Sequence, residues 1–141
     1  MMLERTLIMI KPRTFEENVA GNILSMIQAK GFKIVACKVV KLSKKQAEEF
    51  YYVHKGKVFY EGLTKFMSAG EIMVAVLEGE NIIARMRELM GKTNPEDAAE
   101  GTIRKLYGHN LRENAIHGSD SVKSAEYEIG FFFSKQELIR E

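Results

Sequence analysis

Three short apolar runs, at residues 6–10, 33–42 and 72–77, constrain the fold of this chain more than any other feature. Each is rich in Ile, Val, Leu or Met and too short to make a self-burying helix, so each reads as a buried strand. The first ends at Lys11-Pro12, where the proline ring removes a backbone donor. Val19, Ala20, Ile23, Leu24 and Ile27 then recur at helical spacing, with Gly31 as the stop. After the third run, Ile82, Ile83, Met86, Leu89 and Met90 repeat that pattern and Gly91 ends it. Between the second and third runs, Ser43 and Gln46 form a capping box for a helix through Tyr52, and a further helix runs from about Phe59 to Met67. Residues 121–128 read as a helix and the Phe-rich residues 129–133 as a fourth strand. Ser134 with Glu137 is a second capping box, opening a short terminal helix.

This order is βαβ, a helical insertion, then βαβ with a long loop before the last helix. It predicts an α+β, ferredoxin-like split βαβ sandwich: a four-stranded antiparallel sheet with helices on one face, plus the insertion and the loop. The loop, residues 92–116, is polar, holds Pro95 and two glycines, and hints at helix only around residues 102–107. A loop that long in a small domain is usually functional or disordered. The 141 residues, 45% hydrophobic, suit one domain over 1–141, and no repeat or linker divides them. A net charge of +2 (21 − 19) gives no large field for nucleic acid or a membrane. Cys37 is the only cysteine, which excludes a disulfide framework and fits a reducing cytosol. With no signal-peptide pattern and no apolar run near the ~20 residues of a membrane span, the expectation is a soluble cytoplasmic protein.

Chemistry concentrates in residues 114–121, Asn-Ala-Ile-His-Gly-Ser-Asp-Ser. Small and polar neighbours cannot hide His117 in a core, so it reads as a nucleophile or proton carrier. Gly118 would free the adjoining backbone for unusual dihedrals or close approach to a ligand. Ser119 and Asp120 are of the type that caps a following helix. His54, in a Lys-rich loop, and His109, in a polar turn, read as solvated. Gly91-Lys92-Thr93 looks like the tail of a phosphate-binding P-loop, but Met86 stands where its first glycine belongs, and it follows a helix rather than a strand. The histidines are scattered, without metal-ligand spacing. An RNA-recognition module would need a Lys/Arg-Gly-aromatic run, which Phe131-Phe132-Phe133 lacks.

The segment from Asn114 to Asp120 resembles the active-site motif of nucleoside diphosphate kinases, and the resemblance runs from Thr6 to the C-terminal helix. Ten positions carry it: Lys11 in Ile-Lys-Pro, Tyr51, Phe59 in Phe-Tyr-Glu-Gly-Leu, Arg87, Thr93 in Thr-Asn-Pro, Arg104 in Gly-Thr-Ile-Arg, Asn114, His117, Ser119 and Glu128. The resemblance implies ping-pong transfer of the terminal phosphoryl group from a nucleoside triphosphate to a nucleoside diphosphate through phosphohistidine at His117. Glu128 would hold the second ring nitrogen and Ser119 would orient Glu128. Lys11 and Tyr51 would face the transferring group, Arg87, Thr93 and Arg104 would grip the other phosphates, Phe59 would stack on the base, and Lys11 and Asn114 would read the sugar hydroxyls. Mg²⁺ would be held mainly by substrate phosphates, with Asp120 reaching it through water. The resemblance also implies a homo-oligomer, a hexamer in preference to a tetramer, because the Pro95 loop is similar to one that packs trimers. The chain departs from the family pattern at Lys105-Leu106-Tyr107, where Gly-Asp-Phe is common, at Glu100, where proline is frequent, and at Leu111, which replaces a smaller aliphatic. The intact His117 and phosphate-binding set argue against a silent paralogue.

Overall fold

The first apolar run becomes an inner strand of a four-stranded antiparallel sheet. A computed structural model describes residues 2–138. Strands β1 (Leu3–Ile10), β2 (Lys33–Val40), β3 (Ile72–Glu80) and β4 (Ile116–Gly118) lie in the order β2-β3-β1-β4, with every pairing antiparallel. The inner strands are apolar without alternation because both faces are covered. On β1, Ile8 and Ile10 enter one core while Leu7 and Met9 enter the other. On β3, Ala75 and Leu77 share the first core, and Val74 and Val76 the second.

The first core is closed by helices α2 (Ala20–Ala29) and α5 (Ile82–Met90), through Ile23, Ile27, Ile82, Ile83, Met86, Leu89 and Met90. These are the two crossover helices, lying on one face as the split βαβ plan requires. The second core is closed by the insertion helices α3 (Lys44–Phe50) and α4 (Tyr60–Met67), through Ala47, Phe50 and Met67. Both faces of the sheet therefore carry helices. Ser43 opens α3 as expected: its hydroxyl accepts from the Gln46 N–H at 3.1 Å while the Gln46 side chain accepts from the Ser43 N–H at 2.9 Å. A short helix unread in the sequence, α1 (Pro12–Glu16), follows β1 directly, its proline in the first turn where no donor is needed.

The fourth strand is not where the aromatic run suggests. Residues 129–133 lie mostly within helix α7 (Val122–Phe132), and β4 is the three-residue segment carrying His117. The aromatics pack on the insertion instead: Phe50 meets Phe131 at 5.3 Å and Phe132 at 5.4 Å between ring centroids. Ala125, Ile129 and Phe133 recur every four residues and seat the helix on the core. Ser121, rather than Ser119 or Asp120, caps α7 by accepting from the Ser124 N–H at 3.0 Å. The Ser134–Glu137 box forms and opens a 3₁₀ turn, Gln136–Leu138. Residues 139–141, into which the terminal helix was expected to run, lie outside the described residues. Among the described residues no helix is long and apolar enough to cross a membrane.

The long loop is built, not disordered. It contains a 3₁₀ turn, Pro95–Asp97, and helix α6 (Ile103–Tyr107), capped by the Thr102 hydroxyl. Gly91 starts it at φ +87°, and a Cβ there would collide with the Thr102 side chain. Tyr107, one of the departures from the family pattern, packs against the first core, whereas Leu106 is exposed.

Candidate active site

β4 presents His117 beside the C-terminal end of β1. His117 pairs with Met9 across an antiparallel ladder, and neighbouring Gly118 pairs with Ile8. Gly118 does not adopt a positive φ: a Cβ on it would strike the Met90 sulfur, so the glycine permits helix α5 to pack tightly against β4. The unusual backbone is at Ala115, with φ +79°, a conformation alanine adopts at some cost. That turn directs the Ala115 carbonyl to the Lys11 N–H at 2.9 Å, tying the loop to the end of β1.

Behind His117 is a three-part hydrogen-bond chain. His117 Nε2 lies 2.8 Å from Glu128 Oε1, and the Ser119 hydroxyl donates to that same oxygen at 2.8 Å. Ser119 Oγ in turn accepts from the Leu7 N–H at 3.1 Å. Facing a carboxylate, Nε2 carries the proton in the neutral ring, which leaves the Nδ1 lone pair available. Phe50 and Tyr51 hold the ring edge-on, at 5.6 and 6.2 Å between centroids. Ser119→Ala deprives the buried Leu7 N–H of its acceptor and Glu128 of a donor. We expect it to lower stability by about 1–3 kcal/mol, read as a shift of the urea unfolding midpoint.

In front of His117 lies a cleft of about 670 Å³ lined by Lys11, Tyr51, Phe59, Thr93, Arg104, Asn114 and His117 among others. The structure thus gathers seven of the ten expected residues on one cavity. Ser119 and Glu128 stand behind the imidazole. Arg87 lines an adjoining cavity of about 740 Å³, which shares Thr93 and Arg104 with the first.

Three buried polar atoms of these residues have no hydrogen-bond partner among the described residues: the Tyr51 hydroxyl, Arg104 Nε and Asn114 Oδ1. Burial without a partner is costly, so these atoms are set for a polar ligand. The Asn114 amide donates to the Thr93 and Leu111 carbonyls at 3.0 and 3.1 Å, leaving its oxygen as an acceptor. Arg104 donates to the Gly91 and Ile116 carbonyls at 3.0 and 2.9 Å, so it anchors β4 as well as charging the cleft.

The electrostatics favour an anion. Lys11 is buried, its Nζ meeting, among the described residues, only the Arg112 carbonyl, at 3.3 Å. Burial, with a smaller contribution from the Arg104 charge, lowers its pKa to about 7. Burial and the neighbouring Arg87 lower Arg104 to about 10, which leaves it charged at neutral pH. Tyr51 is pushed upward by burial and by Glu128, so its hydroxyl remains a neutral donor. No group of three or more His, Cys, Asp or Glu among the described residues could hold a metal ion.

Sequence reasoning missed that His54 and Arg112 also line the cleft. His54 is not a solvated loop residue: it stacks on Tyr51 at 6.2 Å and meets Phe59 edge-on at 5.1 Å, forming an aromatic ladder that props Phe59 over the cleft. Burial and Lys57 lower its pKa, consistent with a neutral packing ring. Its place three residues after Tyr51, on one helical turn, was the available signal. His109 is paired, its Nε2 2.8 Å from Glu17 Oε1. Leu111 is exposed and lines the same cleft.

Comparison with known proteins agrees with this geometry. The family model described as nucleoside diphosphate kinase matches residues 4–138. The chain is 56% identical over 139 residues to the nucleoside diphosphate kinase of Persephonella marina, covering 99% of each, and 50% identical over 138 residues to that of Nitratidesulfovibrio vulgaris, covering 98% of this chain and 99% of the relative. Its fold superposes on that of the Aquifex aeolicus nucleoside diphosphate kinase with a TM-score of 0.96 at 45% identity, covering 98% of this chain and all of that one. A halophilic nucleoside diphosphate kinase from Halobacterium salinarum, solved in complex with CDP, gives 0.94 at 38% identity, covering 99% and 93%. A carboxylate-held imidazole at the head of a cationic cleft and similarity to these enzymes over nearly the whole chain lead to one conclusion: the chain belongs to the nucleoside diphosphate kinase family.

Proposed function

We propose that His117 is the residue phosphorylated by this nucleoside diphosphate kinase and that the cleft before it binds donor and acceptor nucleotides in turn. The observation carrying this reading is the Ser119–Glu128–His117 chain, with both contacts to the carboxylate at 2.8 Å. Nδ1 attacks the terminal phosphorus of a nucleoside triphosphate. The N–P bond forms as the bond from phosphorus to the bridging oxygen breaks, and that oxygen leaves with the electron pair on the nucleoside diphosphate. Glu128 accepts the Nε2–H bond throughout and stabilises the positive charge growing on the ring. A second diphosphate enters the same cleft and takes the phosphoryl group back.

Phosphoryl transfer depends mainly on positioning and charge, and the residues divide that work. Lys11 and the neutral Tyr51 hydroxyl donate to the transferring group. Arg87, Thr93 and Arg104 hold the remaining phosphates, spanning the two adjoining cavities. The donor set fits a magnesium ion that arrives on phosphates rather than one caged by protein. Such an ion would neutralise phosphate charge and meet Asp120 through water, a carboxyl kept below its ordinary range chiefly by the Ser124 hydroxyl, with help from Arg87. In keeping with the family resemblance, we further propose a cytoplasmic homo-oligomer, a hexamer rather than a tetramer, packed through the Pro95 loop.

Phe59, 45% exposed and backed by His54, offers a face on which any base can stack. The unpartnered Asn114 oxygen suits the proton of a 3′-hydroxyl whose oxygen accepts from Lys11. Purine and pyrimidine, ribo- and deoxyribonucleotides should all react, with modest differences. A 3′-deoxy analogue should lose on the order of 10²-fold or more in kcat/KM, because it leaves buried polar groups unpaired. Comparison of ATP, GTP, CTP, dTTP and 3′-deoxy-ATP decides this, and an unpenalised 3′-deoxy analogue overturns the assignment of Asn114.

A further inference from the structure

The base end of the cleft holds a cation that none of the roles above uses. Arg112 lies on the loop after α6, its N–H donating to Asn110 Oδ1 at 3.1 Å and its carbonyl accepting from Lys11 at 3.3 Å, so its backbone is held at both ends. Its guanidinium crosses the cleft mouth and lies on Gly62 of α4, where a Cβ would collide with it. Gly62 is three residues beyond Phe59, close to one helical turn, so the seat of the guanidinium and the stacking residue share one end of α4, and Arg112 and Phe59 line the same cleft.

This cation has no partner of its own. Among the described residues its guanidinium makes no hydrogen bond or ion pair, and the carboxylates flanking it are engaged elsewhere. Glu113 pairs with Arg13 at 3.4 Å and accepts from the Asn110 amide at 3.0 Å, while Glu61 accepts from Lys44 at 2.7 Å. A planar fork of donors, anchored at its backbone and uncommitted at its tip, is suited to a pair of acceptors on the edge of a stacked base.

We propose that Arg112 reads the nucleobase edge and gives this kinase a preference for guanine over adenine nucleotides. Guanine presents O6 and N7 side by side as acceptors, matching the fork, whereas adenine places an amino donor beside N7. The two purines stack equally on Phe59, so the edge decides between them. This inference rests on the placement of the base at Phe59 proposed above.

The test is kcat/KM for phosphorylation of the enzyme by GTP, ITP and ATP. The wild type should favour GTP and ITP over ATP by about fivefold, a partly exposed share of what a bidentate base contact provides. ITP keeps O6 and N7 but lacks the 2-amino group, so it should follow GTP. Arg112→Ala should bring the ratio close to one by lowering the guanine and inosine rates, and Arg112→Lys, which keeps charge but loses the fork, should fall between. Gly62→Ala, which displaces the guanidinium from its seat, should shift the ratio in the same direction. A ratio unchanged in Arg112→Ala, or ITP grouping with ATP, overturns the proposal. A loss equal for all three nucleotides also overturns it, since that marks a merely structural arginine. Phe59→Ala, measured in parallel, should lower all three rates alike. If it does not, the placement of the base fails, a result distinct from failure of the edge contact alone.

Discussion

Replacing His117 by alanine is expected to lower turnover by roughly four to six orders of magnitude, as loss of a catalytic nucleophile does elsewhere. The acid-labile, base-stable label left by terminally labelled ATP should disappear with it. No neighbour can substitute: the aromatic ladder offers only the neutral packing ring of His54, and Glu128 is held behind the imidazole by Ser119. The fold should survive, because β4 is kept in place by its pairing with β1 and by the two carbonyl contacts of Arg104 and Ala115 that flank the histidine. Circular dichroism of the variant should therefore match the wild type. Exchange of phosphate between ATP and a second diphosphate at the wild-type rate would show that the nucleophile lies elsewhere.

Lys11→Met should separate stability from activity in opposite directions. Burial holds the Lys11 pKa near 7 in the folded protein against an ordinary value of 10.5. Between those two values the unfolded chain keeps the proton and the folded one does not, so stability contributed by this group rises with pH across the window. Below about pH 7 the folded protein carries the full cost of a buried, unpaired charge. An apolar side chain of similar length removes that cost. The free variant at pH 6 should be more stable by about 1–4 kcal/mol, the range found when buried charges give way to apolar groups. The difference from wild type should shrink as pH rises toward 10.5, where the lysine of the unfolded chain loses its proton too. Urea midpoints of the two proteins across pH 6–9.5 read this directly, with other titrating groups cancelling in the difference.

Activity should move the other way. The transferring phosphoryl group supplies the anion that Lys11 lacks in the free protein, so a charged Lys11 is worth most in the complex. Loss of that donor should reduce kcat/KM by about 10²–10³. The same logic requires the wild type to take up a proton on binding nucleotide at pH 8, where free Lys11 is mostly neutral. Calorimetric titrations in two buffers of different ionisation enthalpy should reveal it, and the uptake should be absent in Lys11→Met. A variant less stable than wild type at pH 6 would show that the lysine charge is compensated within the fold.

Much of this was legible in the chain itself. Three strands, both crossover helices and both capping boxes follow from local chemistry. Apolar runs bounded by Pro12, Gly31 and Gly91 have few alternatives, and Ser43 with Gln46 satisfies its backbone donors reciprocally wherever the rest of the molecule lies. The chemical residues were legible for a different reason. A histidine among Asn, Gly, Ser and Asp, with cations and aromatics in a fixed order, resembles a known active site even when each residue alone looks ordinary.

Tertiary structure alone decided the rest. The Phe-rich segment has the composition of a strand, yet becomes helix because Phe131 and Phe132 find a surface on Phe50 that only the folded insertion provides. The true fourth strand, Ile-His-Gly, is too short and mixed to announce itself, and exists because Met9 and its neighbours offer an open edge of β1. Gly118 is glycine because Met90 arrives from another helix, and Gly62 because Arg112 crosses from another loop. The depressed pKa of Lys11 and the three unpartnered atoms of Tyr51, Arg104 and Asn114 depend on burial by segments distant in sequence. Periodicity and capping are properties of a few consecutive residues, so the sequence determines them. Desolvation, edge pairing and cross-cleft contacts are properties of groups brought together from far apart, and only the packed molecule decides those.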